Sequence, residues 1–255
     1  MKIVSANLNG IRSAARKGFF EWLKIEDADL YCLQEVRAQG ADLAPFAQIG
    51  AYDGHFYCAE KKGYAGVGLY ARRAPDRIKT GIGVPEFDAD GRVLRADFGE
   101  LTVVTVYVPS GSADETRQAA KYRFLDAFFP FLDKLKAERP HTVVCGDWNI
   151  AHQNIDIKNW RGNQKNSGFL PEERDWLTRL YAAGWVDVFR ALHPAEAEAG
   201  YTWWSNRGQA YAKNVGWRID LQVATPALAE RARIAWVYKT QKFSDHAPLI
   251  VDYAL

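Results

Sequence analysis

Leu101-Thr102-Val103-Val104-Thr105-Val106-Tyr107-Val108 decides the fold class of this chain. β-Branched and aromatic residues fill the stretch, and no glycine or proline interrupts it. Its apolar character persists without alternation, so both faces of the strand must be covered, as in sheets packed together with helices outside. Similar runs recur at Lys2 to Asn7, Asp29 to Gln34, Gly66 to Ala71, Thr142 to Cys145, Arg218 to Ala224, Arg233 to Tyr238 and Ala247 to Tyr253. Helical patterns lie between them, at Phe19 to Lys24, at Asp114 to Ala137 and at Pro171 to Ala183. In the second, Tyr122, Leu125, Phe128, Phe129 and Leu132 recur at helical spacing; in the third, Pro171 suits a first turn. No low-complexity tract, Pro/Ser-rich linker or charge block breaks this alternation, so one α/β domain over residues 1–255 is expected.

Composition excludes more than it assigns. Lys and Arg total 33 against 31 Asp and Glu, a net charge of +2, far from the strongly basic balance of a protein that binds polyanions through charge alone. The distribution of cations therefore matters more than their number. No apolar run reaches the roughly 18 residues of a membrane span. Met1-Lys2-Ile3-Val4 enters a strand pattern at once instead of a signal-peptide pattern, so a soluble, cytoplasmic protein is expected. Cys32, Cys58 and Cys145 lack metal-type spacing and are expected to be reduced, with Cys32 and Cys145 in the core. No Walker loop or dinucleotide glycine signature is present, so no nucleotide cofactor is expected, and nothing asks for more than a monomer. Trp22, Trp176, Trp185 and Trp236 sit in apolar periodic contexts and read as core.

Several apolar runs end in polar residues: the first in Asn7, the second in Gln34-Glu35, another in Tyr107, and Cys145-Gly146 leads into Asp147-Trp148-Asn149. Strand ends on a rigid sheet hold side chains to the tolerances that catalysis needs. Glu35 stands where an apolar strand meets water, a suitable place for a hard cation that takes oxygen ligands. Zinc is disfavoured because no His/Cys cluster is present. Asp147 and Asn149, two residues apart, share one side of an extended backbone, so an acceptor of a proton from water lies beside an amide that can bond a phosphate. Asp220 lies within a strand pattern and needs a partner if buried; His246, in Ser244-Asp245-His246-Ala247-Pro248, is a candidate.

The segments Ser5-Ala6-Asn7-Leu8-Asn9-Gly10-Ile11-Arg12, Leu33-Gln34-Glu35, Gly63-Tyr64-Ala65-Gly66-Val67, Tyr107-Val108-Pro109, Gly146-Asp147-Trp148-Asn149-Ile150, Gly168-Phe169-Leu170-Pro171-Glu172-Glu173-Arg174, Trp217-Arg218-Ile219-Asp220 and Ser244-Asp245-His246-Ala247-Pro248 resemble the exodeoxyribonuclease III and apurinic/apyrimidinic (AP) endonuclease family. They occur in family order over nearly the whole chain. The resemblance implies a four-layer α/β sandwich, two packed mixed β-sheets flanked by helices, related to deoxyribonuclease I. It implies a Mg²⁺ cofactor, with Mn²⁺ able to substitute. Glu35 is the principal metal ligand by this resemblance, with Asn7, Asp147, Asn149 and Asp245 near the ion. Asp147 activates water, Asn149 and Tyr107 bond the phosphate, Asn7 lies close to it, and Asp220 with His246 stabilises developing charge.

The implied substrate is double-stranded DNA with abasic or 3′-blocked sites, cut 5′ to the lesion to leave a 3′-hydroxyl and a 5′-deoxyribose phosphate. Asn163, Lys165 and Asn166 resemble the family's phosphate-gripping loop, and Arg12, Lys17, Lys61, Lys62, Tyr64, Lys158, Lys213 and Arg218 are candidate backbone contacts. Trp203, Trp217 and Ile219 resemble the wall of a pocket for the flipped-out abasic sugar. Asn9 stands where some members carry Asp, and Ser110 where relatives commonly have Asn or Gln. The rivals are an enzyme of the same family that is mainly a 3′–5′ exonuclease, a relative acting on phosphoinositides, sphingomyelin or RNA tails, a non-catalytic damaged-DNA binder, and a metal-independent glycoside hydrolase.

Overall fold

The computed structural model describes residues 1–255. Its strands are β1 (Lys2–Asn7), β2 (Leu30–Gln34), β3 (Gln48–Ile49), β4 (Tyr52–Tyr57), β5 (Val67–Ala71), β6 (Arg77–Thr80), β7 (Val93–Phe98), β8 (Leu101–Tyr107), β9 (His141–Asp147), β10 (Val186–Asp187), β11 (Trp203–Trp204), β12 (Gly216–Trp217), β13 (Asp220–Ala224), β14 (Ala232–Val237) and β15 (Leu249–Tyr253). Its helices are α1 (Ile11–Arg16), α2 (Phe19–Glu26), α3 (Pro85–Asp88), α4 (Glu115–Glu138), α5 (Trp160–Asn163), α6 (Pro171–Ala182), α7 (Val188–Leu192) and α8 (Pro226–Ala229).

One sheet has the order β14-β15-β1-β2-β5-β4-β3 and a second the order β10-β13-β9-β8-β7-β6, while β11 and β12 form a separate ribbon. Both large sheets are mixed, because β1 runs parallel to β2, and β8 parallel to β9, among otherwise antiparallel neighbours. The two-residue period of the strands builds the layers. In β8, Val103 joins Ile3, Leu69, Val143 and Val251 between the sheets, whereas Val104 and Val106 meet Phe124, Phe128 and Leu132 of α4 on the outer face. In β1, Ile3 points into the inter-sheet layer, and Val4 and Ala6 pack on Phe19, Trp22 and Leu23 of α2. Each such buried aliphatic side chain contributes about 1.5–3 kcal/mol. The result is the expected four-layer sandwich, helices outside two facing sheets.

Polar side chains pin the facing sheets to one another. Gln34 Nε2 donates to Thr105 Oγ1 at 3.0 Å, and Gln222 Nε2 donates to the carbonyl of Ile3 at 2.9 Å. A shift of either sheet would strand these buried groups, at about 1–3 kcal/mol each.

Some elements depart from expectation. The long helix starts where Asp114 accepts from the N–H of Arg117, and it continues through Pro130 to Glu138. Strands β4, β6 and β7 had no apolar run to announce them. In β7, Arg95 and Asp97 are both buried, and they are tolerated mid-strand because they bond each other at 2.8 Å. Trp236, expected in the core, is only half buried because β14 is an edge strand, with the Lys2 ammonium 5.9 Å above its ring. Cys32 and Cys145 are buried free thiols, and Cys58 is free and half buried. No helix is long and apolar enough to cross a membrane.

The pairing registers bring the polar strand ends to one place. Asn7 is opposite Gln34 across the parallel pair β1/β2, so Glu35 follows directly. Tyr107 is opposite Asp147 across the parallel pair β8/β9, and Asp220, at the start of antiparallel β13, is opposite Asp147 on its other side.

Candidate active site

Asn7 joins the two sheets at this edge. Its Nδ2 donates to Glu35 Oε1 at 2.8 Å and to Asp147 Oδ2 at 2.9 Å, linking residues that are 140 positions apart. Its Oδ1 accepts from the N–H of Asn9 at 2.9 Å. Asn7 therefore meets the carboxylates as a donor, with its oxygen turned toward the N–H of Asn9. His246 Nδ1 lies 2.8 Å from Asp220 Oδ2, and its Nε2 lies 3.8 Å from Asp147 Oδ2. Ser244 supports this pair: its Oγ donates to the carbonyl of Asn7 at 2.6 Å and accepts from the N–H of His246 at 2.8 Å.

Backbone strain concentrates here. Glu35, Asn149 and Asn9 have φ of 51°, 52° and 45°, in the left-handed region. Asparagine tolerates this region, but glutamate does not favour it, and such conformations cost of order 1–3 kcal/mol. The carbonyl of Glu35 is held by the N–H of Gly10 at 2.8 Å. Asn149 is held by its N–H to Asp147 Oδ1 at 2.9 Å and by Nδ2 to the carbonyl of Val108 at 2.9 Å. Neither Arg37, whose guanidinium pairs with the Glu35 carboxylate, nor Ser244 was singled out from sequence, although Ser244 lies inside a motif that was.

Burial sets the electrostatics. Desolvation pushes the Asp147 carboxyl up to about 8, with the charges of Asp220 and Glu35 adding to it and His246 opposing. Desolvation acts to lower His246, but Asp220 and Asp147 outweigh it and raise the imidazole to about 10. Burial also drives the Tyr107 hydroxyl well above its usual range, assisted by the charges of Glu35 and Asp147, so Tyr107 is a neutral donor. Atoms of Glu35, Asp147 and His246 lie within 4.8 Å of one another, and Asp220 Oδ1 is buried without a hydrogen-bond partner. Carboxylates in excess around one imidazole, with oxygen the main donor type, fit a hard divalent cation. Asp245, beside His246 but not part of this cluster, is held by Asn9 Nδ2 at 2.7 Å and Trp203 Nε1 at 3.2 Å.

Glu35, Tyr107, Asp147, Asn149, Asp245 and His246 line a cavity of about 900 Å³, and so do Asn163, Lys165, Asn166, Trp203, Trp217 and Ile219. The indoles of Trp203 and Trp217 meet edge-to-face, ring centroids 5.9 Å apart, and Trp203 pairs through the backbone with His246. Asn166 Nδ2 donates to Asn163 Oδ1 at 2.8 Å, so the rim loop is braced from within. Arg12, Lys61, Tyr64 and Lys213 lie outside this cavity. Arg12, Lys61 and Lys213 are exposed. Tyr64 is half buried, and its hydroxyl accepts from Arg92 and Arg117 at 2.9 and 2.7 Å.

Arg218 is a correction. It was expected on the DNA face, but only 2% of it is exposed, and its guanidinium bonds Asp156 at 2.8 Å and Asp187 at 2.7 and 3.1 Å. The alternation of an extended backbone explains this: Trp217 and Ile219 face the cavity, so Arg218 faces the interior.

Oxygen donors for a divalent cation, a buried Asp–His pair and an apolar slot on a two-sheet sandwich define a metal-assisted phosphoester hydrolase. Residues 4–246 match the Endonuclease/Exonuclease/phosphatase family, and the chain belongs to it. It is 39% identical to an exodeoxyribonuclease of Bacillus subtilis, covering 98% of both chains. It is also 39% identical to the DNA repair nuclease APEX1 of Danio rerio, covering 100% of this chain and 83% of that one. Among solved structures, an AP endonuclease from Archaeoglobus fulgidus superposes over 100% of both chains with a TM-score of 0.89 at 29% identity. The resemblance carried by the motifs and the fold it implied are both borne out.

Proposed function

We propose that the protein is a DNA-repair AP endonuclease that hydrolyses the phosphodiester 5′ to an abasic site, leaving a 3′-hydroxyl and a 5′-deoxyribose phosphate. One observation carries this reading: a single cavity holds both the acid–histidine centre and the slot made by Trp203, Trp217 and Ile219. A sugar without its base enters such a slot at the lowest unstacking cost, while an intact nucleotide brings a base that the slot rejects. The names of relatives support nuclease chemistry on DNA. In the proposal Asp147, whose carboxyl would be held ionised by the positive charge of a bound cation, takes the proton of the attacking water, and Asn149 and Tyr107 bond the phosphate. His246, oriented by Asp220, stabilises the charge that develops on the phosphate oxygens. Asn163, Lys165, Asn166, Arg12, Lys61, Tyr64 and Lys213 contact the backbone of the duplex, and the protein acts as a monomer in the cytoplasm.

The family is divalent-metal-dependent, and we assign Mg²⁺ here, with Mn²⁺ as a substitute. Glu35 and Asp147 would hold it, with Asn149 and Asp245 nearby. When bound, the ion supplies charge stabilisation for the phosphoryl group and its leaving oxygen. Chelation is expected to abolish nicking of an abasic duplex, and Mg²⁺ to restore it. Glu35→Gln should raise the Mg²⁺ concentration needed for half-maximal rate at least tenfold, read from a metal titration; an unchanged requirement would remove Glu35 from the metal site.

A side-by-side assay of abasic, 3′-blocked and undamaged recessed duplexes tests the substrate. Abasic cleavage is expected to be fastest. Faster degradation of the undamaged 3′ end would favour the second reading, a 3′–5′ exonuclease, which the name of the Bacillus relative supports.

A further inference from the structure

Lys121 and Glu173 form a fully buried ion pair in which Lys121 Nζ lies 2.6 Å from Glu173 Oε1, with both side chains 0% exposed. A pair of this kind is costly to desolvate and gives weak net stabilisation, so its position calls for a reason. Lys121 lies on α4 and Glu173 on α6. Lys121 Nζ also donates to the carbonyl of Asn149 at 2.8 Å. Glu173 Oε2 accepts from the backbone N–H groups of Gly168 at 2.7 Å and Leu170 at 3.1 Å. Gly168 has φ of +91°, and a Cβ there would stand 3.1 Å from the Asn149 carbonyl oxygen and 3.2 Å from the Trp217 ring. The pair thus meets, from beneath, the backbone of Asn149 and the chain that leaves the rim loop.

We infer that Lys121 and Glu173 are positioning residues that lock Asn149, the rim loop through Asn166 and the wall at Trp217 into one rigid unit. The inference rests on the AP endonuclease reading above. Asn149 is strained, and its N–H, Nδ2 and carbonyl are each tethered, the last by Lys121. Removing that tether frees the carbonyl to turn, and the Asn149 side chain leaves the place where it bonds the phosphate. Supporting groups of this kind are worth 10–100-fold in activity, because small displacements at a phosphoryl centre are costly.

The test is Lys121→Met together with Glu173→Gln, a neutral pair of similar volume in which the Gln oxygen still accepts from Gly168 and Leu170. Thermal melting reports whether it folds. Steady-state cleavage of an abasic duplex in saturating Mg²⁺, followed over a range of substrate concentrations, reports kcat and KM. The expected result is a folded protein with kcat lowered about 10–100-fold and KM within about threefold of the parent. A kcat within twofold of the parent in the folded double variant overturns the inference, and so does a loss that appears only in KM. If the double variant does not fold, Glu173→Asp retains the charge pair but shortens its reach, and the same split in kcat against KM decides. The parent, run alongside, separates the two ideas, since a parent inactive on abasic DNA refutes the function itself.

Discussion

Asp147→Asn is expected to lower kcat for abasic cleavage by roughly 10²–10⁴-fold, the range for loss of a general base, while making the chelator-treated protein more stable at alkaline pH. The first part follows from position. Asp147 lies at the end of β9, faces Tyr107 and Asp220 in neighbouring strands, and shares Asn7 with Glu35. The second part follows from charge. A carboxyl raised to about 8 in the folded protein is easier to ionise in the unfolded chain, where it has the usual value near 3.9. Its effect on stability is absent below about pH 4 and grows as pH rises through about 8, always against the folded state. Asparagine removes that penalty, and each 1 kcal/mol recovered raises the melting temperature by about 2–4 °C in a chain of this size. Melting curves at pH 8.5 in chelator check this; a variant that melts below its parent would show that the carboxylate is not in excess. Active sites that gather like charges commonly trade stability for function in this way.

Arg218→Met is expected to destabilise the protein by about 3–5 kcal/mol, the cost of leaving buried acids without their partner. At 2–4 °C per kcal/mol, that is a fall of roughly 6–20 °C in melting temperature. Arg218 is held on one side by Asp156 and on the other by Asp187, and Arg190 also pairs with Asp156. Burial tends to raise Asp156, but Arg218 and Arg190 overcome it and hold the carboxyl at about 2. A depressed carboxyl stabilises the fold above its ordinary pKa, and that stabilisation is lost as pH falls from about 4 through 2. The parent should therefore lose melting temperature over this window, and Arg218→Met should lose less. A variant that melts within 2 °C of its parent would mean that the cluster contributes nothing. The change should also loosen the pocket, because Trp217 and Ile219 flank Arg218 and its N–H donates to the carbonyl of Asp156 at 2.7 Å. Preference for abasic over undamaged ends is then expected to narrow.

Arg218 also shows where a one-dimensional reading stops. From sequence it was one more cation beside a pocket motif, and cations near such motifs commonly contact DNA. Its fate depended on Asp156 and Asp187, 62 and 31 residues away, which the fold carries to its inner face. Lys121, and Glu173 inside its motif, were given no role for a related reason. Each lies in an amphipathic helix, where a charge reads as solvated, and only the packing of α4 on α6 buries both. Strand β7 was missed because Arg95 and Asp97 interrupt its apolar character, and their mutual bond is invisible until the backbone is extended.

Local chemistry, readable residue by residue, was enough to establish the α/β class, the strands with continuous apolar runs, the long helix over α4, and the candidates Glu35, Asp147, Asp220 and His246. These depend on periodicity and residue type, which are short-range properties of a chain. Three-dimensional packing alone settled that Asn7 meets both carboxylates through its nitrogen, that Arg218 serves the interior, and that catalytic centre and tryptophan slot open into one cavity. Those outcomes require contacts between segments as much as 237 residues apart. Such contacts arise only when two sheets close face to face, because burial and hydrogen-bond satisfaction are then decided by neighbours in space.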